Sequence, residues 1–424
     1  MGKQWLATLG MFRHVVACLI SMSPILRKIL GMNWVLVLLM YALLIFGIYA
    51  IESAARHLPV SAKLLEEFGT PGAYYADLQK RWIVYGSVVY FFTALVDYRW
   101  IRWLALPIYF VSLFFMARVM GSDDEVHQLR LGPIIFQPAQ LGVTSGVLMI
   151  AWLMQDLPRL HRIFGLPLIR IGFIAVLSGV PFLMVMKMGD MGSALVWLPV
   201  AVVALLIGGV PFRYLSLMAI IAFGCIPMIY MVVLPKVSKR GPERIQLYLD
   251  MLNDRPVDIA GPAYASYYVS MAVGKAGMMG NGWNAPAERG SLHDKRYIPW
   301  KTAHNDFIFA VIAEEFGFRG SLFLITAFAA LLILCLYVSF YSRDLTGRLV
   351  VACVVAFFFA HIFENIGMCV LIMPITGIPL PLISYSGTFA MMCMFMLGMV
   401  QSVWIHRHAM EIVKVPSSDR EVLR

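Results

Sequence analysis

The chain has 424 residues, of which 60% are hydrophobic and only 14% charged, and its mean hydropathy is +0.78. Soluble globular chains are nearer half apolar and a quarter charged, so this composition excludes an ordinary soluble domain. The net charge of +10 does not mark a nucleic-acid binder, because no basic soluble domain accompanies it.

Apolar runs near the roughly 20 residues that a helix needs to cross a bilayer follow one another along the chain. They fall at residues 33–51, 82–97, 100–119, 134–155, 168–186, 191–209, 213–235, 306–340, 349–374 and 386–406. The expected fold is an all-α polytopic membrane protein of about ten transmembrane helices with one large extracytoplasmic loop, residues 236–305. Residues 1–32 are expected to lie on the inner face as an amphipathic segment. Arg13 interrupts their apolar character and no signal-peptide cleavage site follows. Residues 33–406 then form the membrane domain and 407–424 a cytoplasmic tail. Only Asp97-Tyr98-Arg99 separates the second and third runs, which requires a tight hairpin. The eighth run exceeds one simple crossing and contains Gly317 and Gly320, so a bent or interfacial extension is expected there. Lys and Arg concentrate in alternate short loops, and the positive-inside rule places both termini in the cytoplasm. The six cysteines show no CxxC spacing and read as small core residues.

The long loop carries ten basic residues between Lys236 and Lys301. Its stretch Glu243–Leu252 has apolar residues at helical spacing and suits a helix lying on the membrane surface. Two Gly-rich turns follow, Gly274-Lys275-Ala276-Gly277 and Gly280-Asn281-Gly282-Trp283. Glycines of this kind let a backbone approach a phosphate, and the alternative is a solvated basic loop with ordinary turns. Loops of this length are usually functional.

Ionisable residues within apolar runs are costly in hydrocarbon and tend to face a cavity or a partner. Asp306 opens the eighth run, and Glu314 and Glu315 are expected two turns deeper. Helical geometry puts Glu314 about 80° and Glu315 about 180° around from Asp306, so only Glu314 is expected on its face. Each position has a structural alternative. Asp306 with Asn305 is a possible helix cap, and Glu314 or Glu315 a possible partner of Arg319. His361, Glu364 and Asn365, at i, i+3 and i+4, read as an interhelical polar clamp rather than a metal site. Lys187 and Asp190, three apart, suit a surface salt bridge. Walker, HExxH and Ser-His-Asp patterns are absent from the sequence, which leaves ATPase and hydrolase readings without support.

Several segments resemble signatures of the SEDS family of bacterial membrane proteins. Asn305–Gly320 reads NDFIFAVIAEEFGFRG and Gly377–Thr388 reads GIPLPLISYSGT. Lys187–Ala194 (KMGDMGSA) resembles the family's PDLGTA-type turn. Ala272–Trp283 (AVGKAGMMGNGW) is similar to its IGSGGLxGKGW segment, and Phe136-Gln137-Pro138 to the start of its QPSE element. The resemblance covers most of the chain after the first thirty residues. It implies a peptidoglycan glycosyltransferase that polymerises lipid II at the outer face of the bacterial cytoplasmic membrane, working in cell elongation and shape. It implies Asp306 as the catalytic base that takes a proton from the attacking sugar hydroxyl. It places Lys187, Asp190, Arg244, Lys275, Glu314, Ser384 and Tyr385 as substrate-binding candidates. A divalent cation, Mg2+ or Mn2+, is an expected helper for the diphosphate leaving group, and no organic cofactor is expected. The implied partners are lipid II, membrane lipids and a class B penicillin-binding protein, which is a transpeptidase.

The chain also departs from the family pattern. Where the family has QPSE followed by Lys, this chain has Gln137-Pro138-Ala139-Gln140 and then Val143, so a carboxylate and a cation are both missing. Asn305 replaces a threonine, Gly189 a proline, and Ser384-Tyr385-Ser386-Gly387 stands for SYGG. These changes leave two other readings in view, a lipid-linked precursor flippase and a non-catalytic scaffold of a cell-wall synthesis complex.

Overall fold

The computed structural model describes residues 24–120, 129–131, 134–228, 231–232, 234–237 and 240–407. The amphipathic leader over residues 1–23, with Cys18, and the tail from residue 408 onward lie outside these residues, as does Lys239.

The chain is helical almost throughout. In order the helices are α1 (Pro24–Leu30), α2 (Trp34–Ala54), α3 (Ala62–Phe68), α4 (Pro71–Leu95) and α5 (Tyr98–Met120). A short antiparallel hairpin of β1 (Leu129–Leu131) and β2 (Ile134–Phe136) follows, a small exception to the all-α expectation. Next come α6 (Pro138–Leu160), α7 (Pro167–Lys187), α8 (Met191–Leu195), α9 (Trp197–Ile207), α10 (Phe212–Met228) and α11 (Leu234–Val237). The loop contributes α12 (Arg240–Leu252) and α13 (Tyr264–Lys275), and α14 (Ile308–Tyr341), α15 (Leu345–Cys369) and α16 (Gly387–His406) complete the chain.

Seven of these are long and apolar enough to cross a bilayer, namely α2, α5 from Trp103, α6, α7, α14, α15 and α16. The shorter apolar stretches Met191–Ile207 and Phe212–Cys225, together with α4, account for the remaining runs. The protein is therefore a multi-pass membrane protein. Helix α4 starts eleven residues before its expected apolar run. Asp77, Lys80 and Arg81 depress hydropathy there, but Thr70 caps Ala73 N, Pro71 opens the helix and Arg81 pairs with Asp77 at 2.8 Å. The hairpin between α4 and α5 turns over Val96 and Asp97, as the short spacer requires.

Small residues set the closest helix contacts. A Cβ on Gly398 of α16 would lie 2.9 Å from the Tyr90 carbonyl of α4, and one on Gly86 would meet Met394 Sδ at 2.4 Å. The two backbones approach at these glycines, as small-residue interfaces allow in membranes. Helix α15 is buried on nearly every side and packs against α14, α9 and α6.

Helix α14 is interrupted. Gly317 has φ 64° and ψ −162°, a conformation open to glycine alone, and the half-helix Ile308–Phe316 meets the long segment from Phe318 to Tyr341 across it. Three contacts establish the direction of the half-helix. Asn365 of α15 reaches the Asp306 carbonyl, Cys369 one turn nearer the end of α15 meets Ala310, and Ser53 at the end of α2 bonds Glu315. The half-helix thus rises from Asp306 toward the face that carries the long loop. This reverses the depth order expected from the sequence: Glu314 and Glu315 sit at the loop face, and Asp306 sits below them.

The break leaves orphaned carbonyls, and the Gly-rich turn satisfies them. Asn281 N donates to Glu314 O and Gly282 N to Glu315 O, both at 2.9 Å. In return Phe318 N donates to Gly277 O at 2.9 Å and Arg319 N to Met278 O at 3.2 Å. A Cβ on Gly280 would lie 2.3 Å from Glu315 O, so only glycine permits the approach. The Asn281 and Gly282 amides are committed to the broken helix, which speaks against the phosphate cradle, one of the two readings of this Gly-rich region.

Candidate active site below the broken helix

Asp306 occupies the turn before the half-helix. Its own N–H donates to Thr302 O at 2.9 Å. The N-cap position is Phe307, which makes no side-chain cap, so Asp306 is not the helix cap that its place in the sequence allows. Asn365 fixes the backbone on the other side, donating to Asp306 O and Ile378 O at 2.8 Å each. This confirms the clamp reading of the α15 trio for Asn365. His361 beside it packs on the rings of Phe357 and Phe389.

The Asp306 carboxylate faces Gly377, where a Cβ would lie 3.6 Å from Oδ2. Gly377 has φ 77°, and with hydrogen for a side chain it leaves the carboxylate uncovered. Burial pushes the Asp306 carboxyl up to about 7, the charge of Asp190 adds to the rise, and Arg244 opposes it. A carboxylate held near neutrality suits general-base work.

The neighbouring charges are built in by local structure. Asp190 caps α8, accepting from Ser193 N at 3.0 Å and from Gln137 Nε2 at 2.8 Å. Gly192 beside it allows α8 to pack on Thr376 and Ile378. Arg244 comes from α12 and donates to the carbonyls of Ile375 and Thr376 at 3.2 and 3.4 Å. Tyr248 of the same helix bonds Ile372 O at 2.7 Å. Helix α12, the helix expected over Glu243–Leu252, therefore lies across the 370–377 segment and brings its guanidinium charge to bear on Asp306.

The other candidates divide. Ser384 is buried, donates to Asn305 O at 2.5 Å and accepts from Leu380 N at 2.8 Å. It positions the backbone before Asp306 and has no hydroxyl proton left for a ligand. Tyr385 lines a cavity, and its N–H bonds His304 O at 3.0 Å. Lys187, at the end of α7, and Lys275, at the end of α13, are exposed, and neither is among the charges that act on Asp306.

Glu314 is not beside Asp306, contrary to the expectation from helical spacing. It accepts from the backbone of Leu292, from His293 N at 3.1 Å and from Ser291 Oγ at 3.4 Å. Glu315 accepts from Ser53 Oγ and from Asn284 N at 3.0 Å. Arg319 pairs with neither and lies against Met279 Sδ at 3.3 Å. The two glutamates pin the loop over residues 284–293 onto the half-helix. His293 is enclosed there, bonding Ser53 O at 3.2 Å, and burial lowers its imidazole to about 3, so it stays neutral.

Two cavities adjoin the site. One of about 510 Å³ is lined by Tyr74, Trp82, Gln137, Gln140, Asn305 and Tyr385 among others. The second, about 400 Å³, is apolar, bounded by Ile108, Phe115, Leu148, Met391 and Phe395, and Thr388 lines both. Gln137 and Gln140 thus both belong to the site, although the sequence marks the first as a match to the QPSE element and the second only as a lost carboxylate. Trp82 and Tyr74 carry no sequence signal beyond an aromatic on a membrane helix.

Among the described residues no group of three or more His, Cys, Asp or Glu side chains gathers at metal-ligand spacing. The described residues do not fit a caged resident divalent cation.

A half-buried carboxylate under the charge of an arginine, next in sequence to the wall of a polar cavity that shares Thr388 with an apolar one, defines a multi-pass membrane protein equipped to handle an amphiphilic substrate. The FtsW/RodA/SpoVE family, described as cell cycle proteins, matches residues 32–409, and the chain belongs to this SEDS family. It is similar to the peptidoglycan glycosyltransferase MrdB of Escherichia coli K12, 28% identical over 285 residues that cover 66% of this chain and 70% of that protein. It is also similar to the probable peptidoglycan glycosyltransferase FtsW of Trichlorobacter lovleyi, 28% identical over 395 residues, covering 90% and 96%. The fold matches a chain in a structure titled for the coordination of polymerization and crosslinking by a peptidoglycan synthase complex, at TM-score 0.68, 23% identity, and coverage of 89% of this chain and 98% of that one. It also matches the rod shape determining protein RodA of Thermus thermophilus, at TM-score 0.60, 24% identity and the same coverage.

Proposed function

We propose that the chain is a peptidoglycan glycosyltransferase that polymerises lipid II at the outer face of the bacterial cytoplasmic membrane, with both termini inside. The observation that carries this reading is the Asp306 carboxyl, held near neutrality under the opposing charge of Arg244 and directly following Asn305, which lines the polar cavity. The sugar hydroxyl of the acceptor attacks the anomeric carbon of a lipid-linked donor and gives its proton to Asp306. The new bond joins that oxygen to the anomeric carbon, and the bond from this carbon to the diphosphate breaks with its electron pair on the leaving group. Arg244 is placed to meet the growing negative charge, which a preorganised cation stabilises more in a low-dielectric site than in water. The apolar cavity suits the lipid chain and the polar one the sugars.

The half-helix break is the feature a transporter reading would ask for. Here loop backbone seals it, so it does not line a path. The proposed partner is a transpeptidase of the class B penicillin-binding type, a reading supported by the fold shared with a chain of a peptidoglycan synthase complex that coordinates polymerization and crosslinking. A divalent cation would have to draw most of its ligands from the substrate diphosphate.

The test is polymerisation of purified lipid II by the detergent-solubilised protein with its class B partner, comparing wild type with Asp306→Asn. Glycan chains from the wild type and none from the folded variant are expected. Equal chains from both would remove Asp306 as the base. No chains from either, with partner and divalent cations supplied, would favour the scaffold reading.

A further inference from the structure

The 510 Å³ cavity has a lining unusual for a place that handles a diphosphate. Its side chains are Tyr74, Leu78, Trp82, Gln137, Gln140, His304, Asn305, Tyr385, Ser386 and Thr388, with no Lys, Arg, Asp or Glu among them. Burial lowers the His304 imidazole to about 4, so it too is neutral at physiological pH. Three polar atoms on this lining are buried without a partner, Gln140 Oε1, His304 Nδ1 and Asn305 Oδ1. Gln140 is 3% exposed, and buried polar groups are rarely left unpaired unless something else completes them.

We propose that this cavity is an uncharged sugar subsite and that Gln140 is its specificity-determining residue, with its amide oxygen accepting from an acetamido N–H or a hydroxyl of the substrate. This rests on the glycosyltransferase reading and names which part of the substrate the cavity reads. Three observations converge on it. Trp82, Tyr74 and Tyr385 present rings that suit the C–H faces of a pyranose, and Tyr75 and His304 hold Tyr385 in place by ring contacts at 5.2 and 5.5 Å. Neutral amides and a neutral imidazole match hydroxyl and acetamido groups, whereas a diphosphate calls for the cation supplied separately by Arg244. Gln137 links the wall to the reacting carboxylate, since its amide bonds Asp190, whose charge acts on Asp306. The glutamine at position 140 is then a working replacement for the family's carboxylate, not a lost function.

The test uses full-length protein in nanodiscs carrying Asp306→Asn, which binds without turnover. Retention of labelled lipid II is compared with that of undecaprenyl diphosphate, which has the same tail and diphosphate without sugars. Gln140→Met keeps the volume and removes the amide, and Gln140→Asn is the conservative control. The expected result is lipid II binding about tenfold weaker in Gln140→Met, partial recovery in Gln140→Asn, and bare lipid diphosphate binding unchanged in both. In the active background the same change raises KM with little effect on kcat. Equal weakening of both ligands, or of neither, would overturn the proposal, as would a parent protein that binds lipid II no better than undecaprenyl diphosphate. Loss of polymerisation in otherwise wild-type protein, with sugar-dependent binding intact, would overturn the polymerase reading and leave the subsite standing.

Discussion

The side-chain amide of Asn365 sits 2.8 Å from the backbone carbonyl of Asp306 and spans to Ile378 at the same distance. One buried residue of α15 thereby ties together the turn that carries the carboxylate and the 377–384 segment that faces it. Asn365→Leu removes both bonds at similar volume. Polymerisation is expected to fall about a hundredfold, the order that misplacement of a reacting group by an ångström produces. Single-turnover rates alongside thermal unfolding will separate this from loss of fold, since unchanged rates in a folded variant would rule out the clamp.

The pH dependence follows from Asp306. A base must be deprotonated, so kcat/KM is expected to rise with pH and level off above about 7. Stability runs the other way. Folding raises this carboxyl from near 4 to about 7, so the folded chain holds a proton that the unfolded chain has released. Between those values stability falls as pH rises. Asp306→Asn is expected to flatten that slope and abolish the rate, read by unfolding temperatures from pH 4 to 8 beside polymerisation assays.

Asp190 and Arg244 should move the same profile in opposite directions. Asp190→Asn removes a negative neighbour, lowers the Asp306 pKa and shifts the rising limb to lower pH. Arg244→Gln removes the opposing cation and shifts it to higher pH. Arg244→Gln also loses the charge that meets the diphosphate, so its plateau rate is expected to drop at least tenfold, while that of Asp190→Asn falls less. Profiles that shift the same way, or stay fixed, would show that neither charge reaches the carboxylate.

Gly317→Ala tests the broken helix. Its backbone lies where L side chains are strained, and the added Cβ would meet Gly280 N at 2.4 Å. The expected cost is about 3 kcal/mol or more, visible as a lower unfolding temperature in detergent. Faster hydrogen exchange is expected at Asn281 and Gly282, whose amides close the break, and at Phe318 and Arg319, whose amides donate to Gly277 and Met278. A neutral substitution would mean that the half-helix is continuous in solution.

The sequence makes the crossings and the proposed base legible for one reason: both are local. A run of apolar residues declares its own span, and the segment around Asp306 carries its resemblance within sixteen residues. The depth order of Asp306 and the glutamates was not legible, because Gly317 and Gly320 signal a bend but not its direction, which only the long-range partners of the half-helix reveal. Helical spacing put Glu314 on the Asp306 face, yet its partners are the amides of Leu292 and His293, supplied by the preceding loop. Glu315 and Ser53 stand 262 residues apart, a separation at which no periodicity survives. Gln137 was visible as part of the QPSE resemblance and Gln140 only as a departure from it. Their part in the cavity depends on Trp82 and Tyr385, which arrive from α4 and from the approach to α16.

The joint at Gly317 also orders the making of the molecule. Its carbonyls are closed by amides from residues 281–282, and its glutamates by Ser53 and by residues 284–293. A chain whose hydrophobic helices have all entered the bilayer, but whose loop has not yet docked, still has these carbonyls open. Helix insertion and loop docking are therefore separable events in this fold, and only the second completes the half-helix that follows Asp306.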